Sequence, residues 1–114
     1  LIDQALVMGD DQKFVSALLV PNFDNLRKWA DREGIDLPDD PQAICHEAVV
    51  EERIAAEVEA VNEQFESYEQ IKQYRLVPEE FTEDNEMLTP TMKKKRRNIL
   101  ERYADQVRMI YDDE

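Results

Sequence analysis

ALVMGDDQKFVSALLVP, residues 5–21, decides the fold. Two short apolar runs, Ala5–Met8 and Phe14–Val20, flank the turn-forming GDDQK, in which Gly9 and Asp10 supply the tight-turn chemistry. The pattern predicts a β-hairpin. Neither run alternates strictly between apolar and polar, so both strand faces are apolar. That predicts strands covered on both sides, or strands whose second face meets another domain. Pro21 ends the second strand because it has no N–H to donate.

Working outward, Asn22 or Asp24 can cap a helix over NLRKWADREG. Leu26, Trp29 and Ala30 mark its inner face, Trp29 as a packing anchor, and Gly34 supplies the stop. After the proline-bearing connection LPDDPQ, a long helix is expected from Pro41, a good first-turn residue, to about Tyr68. Its apolar stripe is Val50, Ile54, Val58, Val61, Phe65 and Tyr68, spaced 4, 4, 3, 4 and 3. Eight glutamates between 47 and 69 spread around the other side without matched His partners, which reads as a solvated face and predicts no metal site. His46, the only histidine, has only Cys45 nearby, about 100° around the helix, and receives no function.

IKQYRLVPEEFT predicts a third strand, with Tyr74 and Leu76 on one side, Ile71, Arg75 and Val77 on the other, and Pro78 as the stop. EDNEMLTPT reads as a loop, and residues 92–114 as a helix with Ile99, Leu100, Tyr103, Val107 and Ile110 on its apolar side. The expected fold is therefore α+β: one small domain, one core, and a three-stranded, mainly antiparallel sheet backed by helices, one of them long and amphipathic.

Bulk properties agree with a single domain over residues 1–114, at 13.4 kDa with 42% hydrophobic and 36% charged residues. The net charge of −13 repels nucleic acid and anionic membrane, which argues against either as a partner of the domain as a whole. A single cysteine cannot form an internal disulfide and suits a reducing, cytoplasmic setting. No apolar run approaches the roughly 20 residues of a membrane span. The opening on Leu1 and Ile2, without Met, predicts a piece of a longer polypeptide. No Gly-rich phosphate loop, zinc spacing or nucleophile elbow occurs, and only two glycines are present.

Against this acidic background stands MLTPTMKKKRR, residues 87–97, with five consecutive cations. Read as a helix entrance, this is where the macrodipole disfavours positive charge. Pro90 restricts itself and Thr89, and Thr91 is placed to cap the helix. A stiff loop followed by lysines is suited to delivering one ammonium to a phosphate, a carboxylate or a transition-state oxyanion.

LTPTMKKKRR, with FESYEQIKQYRLVPEEFTEDNEMLTPT before it and NILERYADQVRMIY after it, resembles the C-terminal end of AMP-forming long-chain acyl-CoA synthetases. DQALVMGDDQKFVSALLVPNFDNLRKWA is similar to the hairpin and helix of the same family, so the likeness covers nearly the whole chain. The resemblance implies a small lid domain that closes over a large N-terminal adenylation domain holding ATP, Mg2+ and long-chain fatty acid. It implies that one lysine reaches the reacting carboxylate and α-phosphate, and that the lid then rotates to admit CoA. The superfamily places that lysine after a PxTxxGK-like motif. Aligning its threonine with Thr91 puts Lys95 there, the slightly favoured choice, whereas a shorter loop puts Lys93 there. Lys94 is disfavoured, being turned about 100° from either in a regular helix. Arg96 and Arg97 are candidates for a CoA phosphate or the facing domain. The AMP-binding and fatty-acid-binding motifs are absent from these residues, so the chain alone is expected to lack ligase activity. The implied enzyme is cytoplasmic, with peripheral membrane association an open expectation. The competing reading is a non-enzymatic anion-binding or protein-interaction module using residues 93–97, or an adaptor using the acidic helix.

Overall fold

A computed structural model of the chain describes residues 1–9 and 12–112. Among them the order is β1 (Ile2–Met8), β2 (Val15–Pro21), α1 (Phe23–Glu33), α2 (Pro41–Cys45), α3 (Ala48–Asn62), a 3-10 turn (Ser67–Glu69), β3 (Ile71–Leu76), α4 (Arg96–Arg102) and α5 (Ala104–Asp112). The two strands of the expected hairpin form and pair antiparallel, Leu6 opposite Leu18; the Asp10 part of the expected turn lies outside the described residues.

The small α+β domain with a three-stranded sheet is present, but the sheet is mixed rather than mainly antiparallel. Its order is β1-β2-β3, and β3 runs parallel to β2. The physical reason is the connection: β2 and β3 are joined by a crossover of three helices, long enough to return the chain to the end where β2 began. A register shift between Val15/Ile71 and Ser16/Gln73 leaves Lys72 as an extra residue in β3. This bulge puts Ile71 on the same face as Tyr74 and Leu76, where simple alternation had placed it opposite.

The central strand β2 is buried on both faces, as its unalternating sequence predicts, and the expected single core is divided by the sheet. Leu18 and Val20 join Leu6, Met8, Val77, Phe81, Met87, Leu88, Ile99, Tyr103 and Ile110 on one side. Ala17 and Leu19 join Leu26, Ile44, Val50, Ile54 and Val58 on the other. Truncating a fully buried member such as Leu18 or Ile54 to alanine carries the usual cost of about 2–5 kcal/mol.

Helix ends follow local chemistry. The Asn22 side chain accepts from the Asn25 N–H at 3.0 Å to start α1, and Gly34, at φ 69°, ends it. The long helix expected from Pro41 to Tyr68 is broken after Cys45, with Glu47 extended before α3. In one straight helix Ile44 and Val50 would point about 120° apart. The corner lets both enter the same core, where each is fully buried. At the far end α3 stops at Asn62, whose side chain donates to the Ile71 carbonyl and accepts from the Ile71 N–H, both at 2.9 Å. Phe65 and Tyr68, expected in the buried stripe, are consequently exposed, as is Val61 in part.

Candidate functional site: the lysine hairpin

The basic run does not begin a helix. Residues 87–95 form a small hairpin: Leu88 bridges Lys94 antiparallel, the Lys95 N–H donates to the Met87 carbonyl at 2.8 Å, and the Thr89 N–H donates to the Lys93 carbonyl at 2.8 Å. Helix α4 starts only at Arg96, with Lys95 as its N-cap residue and no side-chain cap. The 100° helical rotation used to set Lys94 apart therefore does not apply, and Thr91 is not the helix cap.

Thr91 sits instead in a β-turn closed by the Met92 N–H donating to the Thr89 carbonyl at 2.8 Å, with Pro90 at the second position that its fixed φ suits. Met92 follows at φ 65°, the left-handed residue of a bulged hairpin loop. Thr89 is the residue that sequence reasoning underused. Its hydroxyl oxygen accepts from the Lys93 N–H at 3.1 Å and lies 3.1 Å from the Thr91 hydroxyl, so the turn is tied from inside. The signal was present in Thr-Pro-Thr, a β-turn composition rather than only a stiff loop.

The base of the hairpin is fixed by buried Met87 and Leu88 and by the Asn85 side chain. Asn85 accepts from the N–H groups of Thr82 (3.0 Å) and Met87 (3.2 Å) and donates to the Glu80 carbonyl (2.8 Å). The tip stands in solvent: Pro90 through Lys94 are exposed, whereas Lys95 is half-buried. The arginines divide. The Arg96 guanidinium donates to the Val7 carbonyl at 2.8 Å, across 89 positions of sequence. Arg97 is 91% exposed and meets Glu101 only at 3.4 Å, a pair of the kind worth a few tenths of a kcal/mol. Beside them the outer face of α4, with Leu100, and Ala104 at the start of α5 line a shallow open concavity of about 530 Å3. The hairpin thus leaves Lys93 and Lys94 exposed, as α4 leaves Arg97, while Arg96 is hydrogen-bonded to the backbone of β1.

The whole chain, residues 1–114, matches the family model for the AMP-binding enzyme C-terminal domain. The chain belongs to that family. Among curated relatives, it is 35% identical over 121 residues to the long-chain-fatty-acid–CoA ligase FadD15 of Mycobacterium tuberculosis, a match covering all of this chain and 19% of the relative. It is 30% identical over 113 residues to long-chain-fatty-acid–CoA ligase 1 of Cavia porcellus, covering 96% of this chain and 16% of the relative. The C-terminal domain therefore spans about a fifth or less of the curated relatives it matches. The fold is shared with the adenylation–carrier didomain of the carboxylic acid reductase from Segniliparus rugosus, solved with AMP. That similarity has a TM-score of 0.69 at 20% identity and covers 99% of this chain and 14% of the other. Among the described residues, no group of three or more His, Cys, Asp or Glu side chains is arranged to hold a metal ion, and no helix is long and apolar enough to cross a membrane.

Proposed function

We propose that this domain is the C-terminal lid of an AMP-forming long-chain fatty-acid–CoA ligase, and that Lys93 is the cation it delivers to the adenylation centre. The family membership and the relatives, both long-chain-fatty-acid–CoA ligases, support the first half. The observation that carries the second is the left-handed Met92. The superfamily motif has glycine immediately before its lysine, and a left-handed φ is where glycine is the default residue. Placing Met92 on that glycine makes Thr89 the motif threonine and Lys93 the motif lysine. The Thr89 hydroxyl bonded to the Lys93 N–H gives that threonine a structural reason. Lys95, the choice slightly favoured on spacing alone, is half-buried at the root of α4 and less suited to reach a facing domain.

In the proposed reaction a fatty-acid carboxylate attacks the α-phosphorus of ATP and pyrophosphate departs. An ammonium on an exposed, internally tied hairpin opposes the charge developing between carboxylate and phosphorus without needing bidentate geometry. ATP, Mg2+ and fatty acid fall to the remaining polypeptide. In the thioester step Arg97 and Lys94, both exposed, fit an anionic phosphate of CoA, whereas Arg96 is already engaged with Val7.

The test is fatty-acid-dependent ATP–pyrophosphate exchange in the complete polypeptide. Lys93→Ala is expected to lose about 100-fold or more, the scale of one preorganised charge donor, and Lys95→Ala only a few-fold. Thioester formation from supplied acyl-AMP should suffer much less in both, and the 114-residue chain alone should show no exchange. The reverse pattern would move the role to Lys95. Full exchange in both variants would leave the basic run a surface feature.

A further inference from the structure

We propose that Arg96 is a positioning residue, whose guanidinium ties the root of the lysine hairpin to the end of β1 and so sets where the Lys93 ammonium arrives. The inference rests on the assignment of Lys93 above. The hairpin's own hydrogen bonds, Thr89 with Lys93 and Lys95 with Met87, fix its internal shape but not its direction relative to the sheet. Direction is set where its two legs enter the body. One leg is held by Met87 and Leu88, buried among Leu6, Met8 and Ile99. The other runs through Lys95 directly into α4, where Arg96 donates to the Val7 carbonyl of β1 at 2.8 Å.

Three observations favour this role over a ligand role. First, β1 is an edge strand, so its outer carbonyls have no neighbouring strand and a side-chain donor is the natural partner. Second, Arg96 occupies the first position of α4, where the macrodipole gives a cation no benefit, so helix stability does not explain it. Third, the Arg96 guanidinium, although exposed, donates to a backbone oxygen at 2.8 Å, while the adjacent and also exposed Arg97 has a long contact to Glu101. A planar, fixed fork on a long stem is also better suited than lysine to spanning from a helix to a strand in one direction.

In the complete polypeptide Arg96→Ala should lower the turnover of ATP–pyrophosphate exchange about tenfold, a fraction of the loss associated with a 1 Å misplacement of a catalytic group. KM for ATP and for CoA should change less than about twofold, and Arg96→Lys should recover most of the turnover, as expected for lost orientation rather than lost binding. Amide hydrogen exchange at Thr89 and Lys95 should quicken in Arg96→Ala while exchange in β2 stays slow. A raised KM for CoA with exchange turnover intact would make Arg96 a phosphate ligand and overturn the proposal. So would unchanged turnover together with unchanged amide protection. If Lys93→Ala leaves exchange intact, the Lys93 assignment itself falls; the tie is then judged on amide protection alone, where no change in Arg96→Ala overturns it.

Discussion

Met92 is 66% exposed and holds φ 65° with a full side chain, in a conformation that costs an ordinary L-residue about 1–2 kcal/mol. Glycine removes the clash but widens the unfolded ensemble, which returns part of the gain. Met92→Gly should therefore stabilise the domain by about 0.5–1 kcal/mol, seen as a higher urea midpoint with an unchanged slope. A lower midpoint would mean that the Met92 side chain makes contacts worth more than the strain. The same reading explains why the lysine's place was hard to read from residues alone. On the proposed assignment, methionine stands where the superfamily motif has glycine, so only the backbone angle marks the position. Glu86, at φ 63°, is a second such residue, stabilised from its neighbour Asn85, which bonds the backbone on both sides of the turn.

Among elements, the joint between α3 and β3 depends on one side chain. Asn62 makes two bonds to the backbone of Ile71, and Gln70 returns a bond to the Asn62 carbonyl at 3.0 Å. Asn62→Ala would leave both Ile71 backbone groups partly buried without that partner, so a loss of about 2–3 kcal/mol is expected by chemical denaturation. Asn62→Asp, which keeps an acceptor for the Ile71 N–H, should lose less; equal losses would show that Asn62 acts through helix termination instead. Helix periodicity made Val50, Ile54 and Val58 readable as core, and all three are buried. It did not reveal where α3 stops, because Val61 lies in the last turn of the helix and Phe65 and Tyr68 continue the spacing into residues beyond Asn62. Similarly, Ile99, Tyr103 and Ile110 were readable as one apolar face, but not the start of α4. Lysines score as helix formers, and the bridge from Leu88 to Lys94 is a contact that no local pattern encodes.

At the scale of the whole molecule, β2 was the most legible element, since a strand apolar on both faces demands layers on both sides. Strand direction was less so: sequence spacing does not say at which end of the sheet a three-helix crossover deposits β3. The two layers also bury two acids of very weak strength. Burial, then the Asp40 and Glu51 carboxylates, push the Cys45 thiol from an ordinary 9.0 up to about 11. Burial, then the Glu79 carboxylate, push the Tyr103 hydroxyl from 10.0 up to about 12, against the pull of Arg102. Both shifts favour the protonated form in the folded state, so above about pH 9 the unfolded chain releases protons that the folded chain retains. The contribution is complete below pH 9 and is lost as pH rises through about 11 for Cys45 and about 12 for Tyr103. The net charge is already negative, so charge repulsion at alkaline pH acts in the same direction. Attribution therefore requires the variants Cys45→Val and Tyr103→Phe. Urea midpoints of the parent should be level from pH 7 to about 9 and then fall, and the double variant should fall less steeply. A decline equally steep in both would assign the alkaline loss to charge repulsion across the acidic surface rather than to the two buried groups.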